Sequence, residues 1–318
     1  MELFGKIKGC EVYSHTLCNS KLKVNILSYG AIIQSLVFNG VDVVLGYNTL
    51  DEYVLDDMYL GAVIGRVSNV IDGAKFTLNG TTYNLDKNDG DKCSHGGYNG
   101  FNKKVFEVES YSKTHITLKC FSADGEGGFP ANVTAFITYE IKGASLIINY
   151  KAIADGDTPL SLTNHAYFNL NGEGKSLEKT YLKVNANSYT VTSPSLVPTG
   201  EIKSVLETPL DYSSFKSIDC LDVNFCVSGN GFREVATAKS TLTNICVTAY
   251  SDKEGLQVYT ANELTARKGK TALYTPFSAF CLETQGYPNA VNEPNFKSVI
   301  LKKNTEYNST TEYKFSLI

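Results

Sequence analysis

Two segments far apart in the chain carry residue types that can move protons. In Pro159 to Leu170 (PLSLTNHAYFNL), a period-two reading puts Leu160, Leu162, Ala166, Phe168 and Leu170 on one side of an extended strand. Ser161, Thr163, His165, Tyr167 and Asn169 then share the other side. A polar sheet face is often no more than a wetted surface. A histidine flanked by hydroxyls and an amide, however, is also what a pocket for a polyhydroxylated ligand needs. In Phe277 to Gln285 (FSAFCLETQ), Glu283 falls in register with Phe277, Ala279 and Cys281, which places a carboxylate on an apolar face. Burying a carboxylate without compensation is costly and raises its pKa, so such a group is paired, hydrogen-bonded or functional.

The elements that would position these groups read as β throughout. Leu22, Val24 and Ile26 alternate with polar neighbours, and Asn79-Gly80 between Phe76-Thr77-Leu78 and Tyr83-Asn84-Leu85 is a strong hairpin signal. Further hairpins are predicted for Val133–Ile141 with Ser145–Ile153, for Val105–Tyr111 with His115–Ser122, and for Ile245–Tyr250 with Leu256–Thr260. Tyr59 to Ile71 is apolar on both faces and reads as a central strand, with a helix only near Leu50 to Met58. The absence of β-helix-β alternation predicts an all-β antiparallel sandwich, and the lack of a linker predicts one domain over residues 1–318.

Composition narrows the function classes. A hydrophobic share of 42%, charged residues at 19% and a net charge of −4 describe a globular chain without a broad basic surface for nucleic acid or anionic lipid. The N-terminus lacks a continuous apolar region and no segment reaches membrane-span length, so a cytoplasmic protein without a membrane partner is expected. Its eight cysteines are scattered without C-x-x-C spacing, which predicts free, mostly buried thiols. Four histidines without H-x-x-x-H or a Cys/His cluster argue against a zinc site, and neither a G-x-S-x-G elbow nor a phosphate-binding Walker loop is present.

Other candidates each have a bland alternative. Arg66 in an apolar strand needs either a carboxylate or a ligand's oxygens. His95, in Cys93-Ser94-His95-Gly96-Gly97, is a turn residue or a ligand-facing imidazole; by the latter reading Cys93 is the most reactive thiol. Asp222 serves equally as an Asx-turn acid or a hydroxyl-binding carboxylate.

Taken together and in order, these pieces resemble the aldose 1-epimerase (galactose mutarotase) family. The likeness runs from about Asn25 to the C-terminus through Tyr59 to Asn69, His95-Gly96-Gly97 with Gly100-Phe101, Gly128-Phe129-Pro130, Thr163-Asn164-His165 with Tyr167-Phe168-Asn169-Leu170, Asp222 with Asn224-Phe225, Gln257 with Tyr259-Thr260, and Leu282-Glu283-Thr284-Gln285. It implies a large sandwich with a concave monosaccharide groove, Glu283 as general base and His165 as general acid. Arg66, His95, Asp222, Gln257 and Asn69 become sugar-binding or supporting groups, and neither cofactor nor metal is needed. The chain departs from the family pattern at Val70, Ser94 and Val223, where arginine, leucine and histidine are usual. Galactose and glucose are both admissible substrates, and monomer and homodimer both remain open. Rival readings are a glycoside hydrolase using Asp222 with Glu283, a sugar-phosphate epimerase of related fold, and a non-catalytic sugar-binding protein.

Overall fold

The computed structural model describes all of residues 1–318. Alternating apolar positions sort most of the strand residues into three antiparallel sheets. The largest has nine strands in the spatial order 107–111, 115–122, 133–142, 145–154, 306–317, 245–251, 233–240, 180–184 and 216–217. Against it lies a six-stranded sheet in the order Tyr167–Phe168, Phe280–Gln285, Gly255–Tyr259, Asp222–Val227, Ala186–Thr192 and Pro198–Ser204. Strands 2–7, 10–18, 22–27, 33–38 and 41–42 form the third sheet.

Alternation within the six-stranded sheet decides where chemistry can occur. Phe225, Leu256, Val258, Phe280 and Leu282 enter one core of 52 buried residues that also takes Ile137, Ile148, Val247 and Phe315 from the nine-stranded sheet. Their neighbours one residue away, Asn224, Gln257, Tyr259, Cys281 and Glu283, necessarily face away from that core. Burying each large apolar side chain contributes roughly 1.5–3 kcal/mol. The inner face therefore fixes the register that holds the outer face, because a slip by one residue would exchange the two.

Three predicted hairpins form, turning at Asn79-Gly80, at Gly143-Ala144 and between Tyr111 and His115. Helix Leu50–Leu55 is also present, closed by a capping box between Thr49 and Glu52. The fourth hairpin does not form. Ile245–Ser251 is hydrogen-bonded within the nine-stranded sheet while Gly255–Tyr259 sits between two strands of the six-stranded sheet, so the intervening turn carries the chain from one layer to the other.

Two long strand predictions also fail. Tyr59 to Ile71 contains only the two-residue strands Val63–Ile64 and Val70–Ile71, because Tyr59, Gly61 and Asn69 adopt positive φ and break the extended run. Its glycines allow close approach: a Cβ on Gly61 would lie 2.3 Å from the Ile33 carbonyl oxygen. Pro159 to Leu170 is divided among partners, with Thr163–Asn164 on Val63–Ile64 and Tyr167–Phe168 on Phe280–Cys281. Both of its faces are buried, and Asn169 ties down the backbone at Lys175 and Ser278.

Candidate active site

Cross-strand register assembles the site in rows. Asn224 opposes Gln257, and Gln257 opposes Glu283, across three neighbouring strands. One step along the same face, Asp222 opposes Tyr259, Tyr259 opposes Cys281 and Cys281 opposes Tyr167. His165, two residues before Tyr167, brings its Nε2 to 3.5 Å from Oε1 of Glu283. Three residues that the sequence singled out separately, His165, Gln257 and Glu283, thus meet on one face at the floor of a groove of about 320 Å³.

Aromatic rings hold the imidazole in place. Tyr167 stacks on His165 with ring centroids 4.9 Å apart, while Tyr59, Tyr259 and His95 surround it at 6.0, 6.3 and 5.4 Å. On the opposite wall His95 receives its position from backbone geometry. It has φ +52, its N–H donates to the Asn69 carbonyl at 2.9 Å, and its Nδ1 accepts Asn69 N–H at 3.4 Å. Gly96 beside it has φ +91, and a Cβ there would fall 2.0 Å from the Gly65 carbonyl oxygen, so only glycine lets the loop close against the wall. Asn69, His95, Asp222 and Gln257 all line the groove, with Gln257 Nε2 donating to Asp222 Oδ1 at 2.6 Å.

Burial sets the ionisation of the central pair. Glu283 is 2% exposed, and desolvation reinforced by the charge of Asp222 pushes its carboxyl well above the ordinary 4.5. His165 is driven well below 6.5 by burial and by His95 beside it, and burial lowers His95 itself to about 4. Glu283 Oε2 is buried without a protein partner, while Oε1 is the oxygen that faces the imidazole.

Arg66 is not in the groove. Its guanidinium is 2% exposed and donates to Ser122 Oγ at 2.9 Å and to the carbonyls of Pro130, Ser122 and Ala123 at 2.7, 3.0 and 2.6 Å. Backbone carbonyls, rather than a carboxylate or a sugar, satisfy the buried cation, and burial lowers its pKa to about 10. Arg66 therefore pins the 122–130 loop behind the site. Cys93 also departs from expectation: it is 1% exposed, and burial pushes its thiol up to about 12, so it is inert. All eight cysteines are free, with Cys10 and Cys220 exposed.

Groove residues absent from the sequence reading include Lys92 and the hairpin positions Thr190, Thr192, Leu196 and Pro198. Asn224 was legible only as a motif residue, since its place opposite Gln257 is a property of strand pairing. Both ends of its buried amide lack protein partners. Lys92 is the one cation in the lining, against Asp57, Asp89, Asp222, Glu263 and Glu283. His165, Cys281 and Glu283 bring ligand atoms within 4.8 Å of one another, the spacing of a possible metal site. However, Cys281 faces Nδ1 of the ring and Glu283 faces Nε2, so one ion cannot lie in line with both.

The family model described as aldose 1-epimerase matches residues 13–314. The chain is 38% identical to galactose mutarotase of Sus scrofa, covering 95% of this chain and 93% of that protein. It is 35% identical to galactose mutarotase of Homo sapiens over 99% and 98% of the two chains. The fold superposes on the crystal structure of a GalM/aldose epimerase homologue from C. elegans with a TM-score of 0.92, at 26% identity over 96% of this chain and 99% of that one.

Proposed function

The chain belongs to the aldose 1-epimerase family, and from that premise we propose that it interconverts the α and β anomers of free hexoses with Glu283 as general base and His165 as general acid. The observation that carries this assignment is the buried pair itself: a carboxylate with one unpartnered oxygen, 3.5 Å from an imidazole nitrogen, on the floor of a polar groove.

Mutarotation needs a proton taken from the anomeric hydroxyl and another delivered to the ring oxygen. The ring then opens to the aldehyde, C1 rotates about its bond to C2, and closure occurs from the other face. Glu283 accepts the first proton and His165 Nε2 supplies the second, each able to contribute roughly 10²–10⁴-fold. On closure the protonated glutamate returns its proton to O1 and the imidazole removes one from the C5 hydroxyl. Throughout, the pair holds one exchangeable proton: it rests as carboxylic acid with imidazole, shifts to carboxylate with imidazolium for opening, and is neutral again once the ring is open. Desolvation favours the neutral arrangement, so the groove stabilises the state that accompanies the open chain. Asn69, His95, Asp222 and Gln257 supply donors and acceptors for the hydroxyls. Galactose, the sugar in the name of the mammalian relatives, is the first substrate to test.

Polarimetry on freshly dissolved α-galactose and α-glucose, with methyl α-galactoside as control, tests the activity. Accelerated decay of rotation for the free sugars and none for the glycoside is the expected result, because the glycoside has no anomeric proton to give. Hydrolysis of the glycoside without acceleration for the free sugars would overturn it.

A further inference from the structure

Cys281 is fully buried beneath the groove, outside its lining, with its Sγ 3.5 Å from Nδ1 of His165. The opposite nitrogen, Nε2, faces Glu283. The stacked Tyr167 and the surrounding rings restrain the plane of the imidazole, so the variable left to specify is which nitrogen carries the proton of the neutral form. If that proton sits on Nε2, the lone pair points at the thiol and the ring cannot act as a base towards the groove. If it sits on Nδ1, Nε2 can take a proton from the C5 hydroxyl and return it to the ring oxygen.

We propose that Cys281 is a positioning residue of the acid: its sulfur accepts Nδ1–H of His165 and so reserves Nε2 for proton exchange with the sugar. This rests on the role assigned to His165 above. A thiol can donate as well as accept, but the His165 backbone carbonyl, which can only accept, lies on the same side of the ring and favours Nδ1–H, so the sulfur need only accept beside it. That main-chain oxygen of His165 already takes Gly61 N–H at 3.0 Å, which leaves the sulfur as the freer acceptor for the ring. The sulfur stays a neutral thiol, since burial and the charge of Glu283 push it well above 9.0, so it exerts none of the pull on the imidazolium that a carboxylate would.

The test is ¹⁵N NMR of histidine-labelled protein, with His165 assigned by its loss in His165→Asn. The wild type should show Nδ1 protonated and Nε2 bare at pH 7.5. Cys281→Ala should shift the tautomer towards Nε2–H and lower kcat about tenfold, the worth of one modest hydrogen bond, with KM unchanged. Cys281→Ser, whose hydroxyl oxygen also accepts, should restore both. A wild-type ring protonated at Nε2 would overturn the proposal, as would Cys281→Ala keeping the wild-type tautomer and kcat. A wild type with no mutarotase activity would instead overturn the assignment of His165, while the NMR result would still decide the tautomer.

Discussion

At the scale of single residues, the environments of Glu283 and His165 pull their ionisation in opposite directions from its ordinary range. Because the pair works while holding one proton, kcat/KM should fall only where a second proton is added or the last one lost. The acid limb tracks protonation of His165, which burial moves below 6.5, so activity should be level between pH 6.5 and 7.5. A decline centred at 6.5 or higher would mean that the imidazole is solvated. The same burial has a cost in stability. A carboxyl with a raised pKa supports folding fully below its unfolded value and loses that support as pH rises through its folded value. Glu283→Gln should therefore raise Tm relative to wild type, by a margin that grows from about pH 4.5 upward, as thermal melts at several pH values would show.

At the scale of elements, Arg66 shows how a correct residue can receive a wrong role. Its type and apolar surroundings announced that it must be satisfied, but the satisfying groups are carbonyls of the 122–130 loop, which no spacing in the sequence brings near. Arg66→Lys replaces a planar fork by a single ammonium and leaves several of these acceptors unmet. Stability should fall by about 3 kcal/mol while KM for galactose stays within twofold. A raised KM at unchanged Tm would return Arg66 to the groove. The contrast with Glu283 is instructive. Alternation along Phe280–Gln285 placed the glutamate opposite the core-facing Leu282 without knowledge of any partner, because a regular strand converts sequence parity directly into direction. Tyr59 to Ile71 defeated the same logic, since positive φ at Tyr59 and Asn69 breaks the parity while leaving the apolar pattern intact. Pairing between distant strands, which sets Asn224 beside Gln257, has no local signal at all.

At the scale of the whole molecule, the nine- and six-stranded sheets enclose one large core and present the catalytic row on its far side. The eight free thiols follow from that core, which needs no covalent staples. Thiol titration of the native protein should therefore label Cys10 and Cys220 first and Cys93 far more slowly, and dithiothreitol should leave Tm unchanged. Fast labelling of Cys93 would contradict the packing of the His95 loop. Acid should destabilise the fold through its buried imidazoles. A histidine with a lowered pKa contributes stability that is present above 6.5 and lost as pH falls through its folded value, about 4 for His95. His95→Asn should accordingly flatten the fall of Tm across that window.

Catalysis in this groove rests on one buried carboxylate taking the anomeric proton. Polarimetry of Glu283→Gln on α-galactose addresses it most directly, because the amide keeps the shape and the groove but cannot accept that proton. The expected result is a loss of roughly 10²-fold or more in kcat with a folded protein that still binds the sugar. A folded variant retaining more than about a tenth of the wild-type rate would show that the base lies elsewhere.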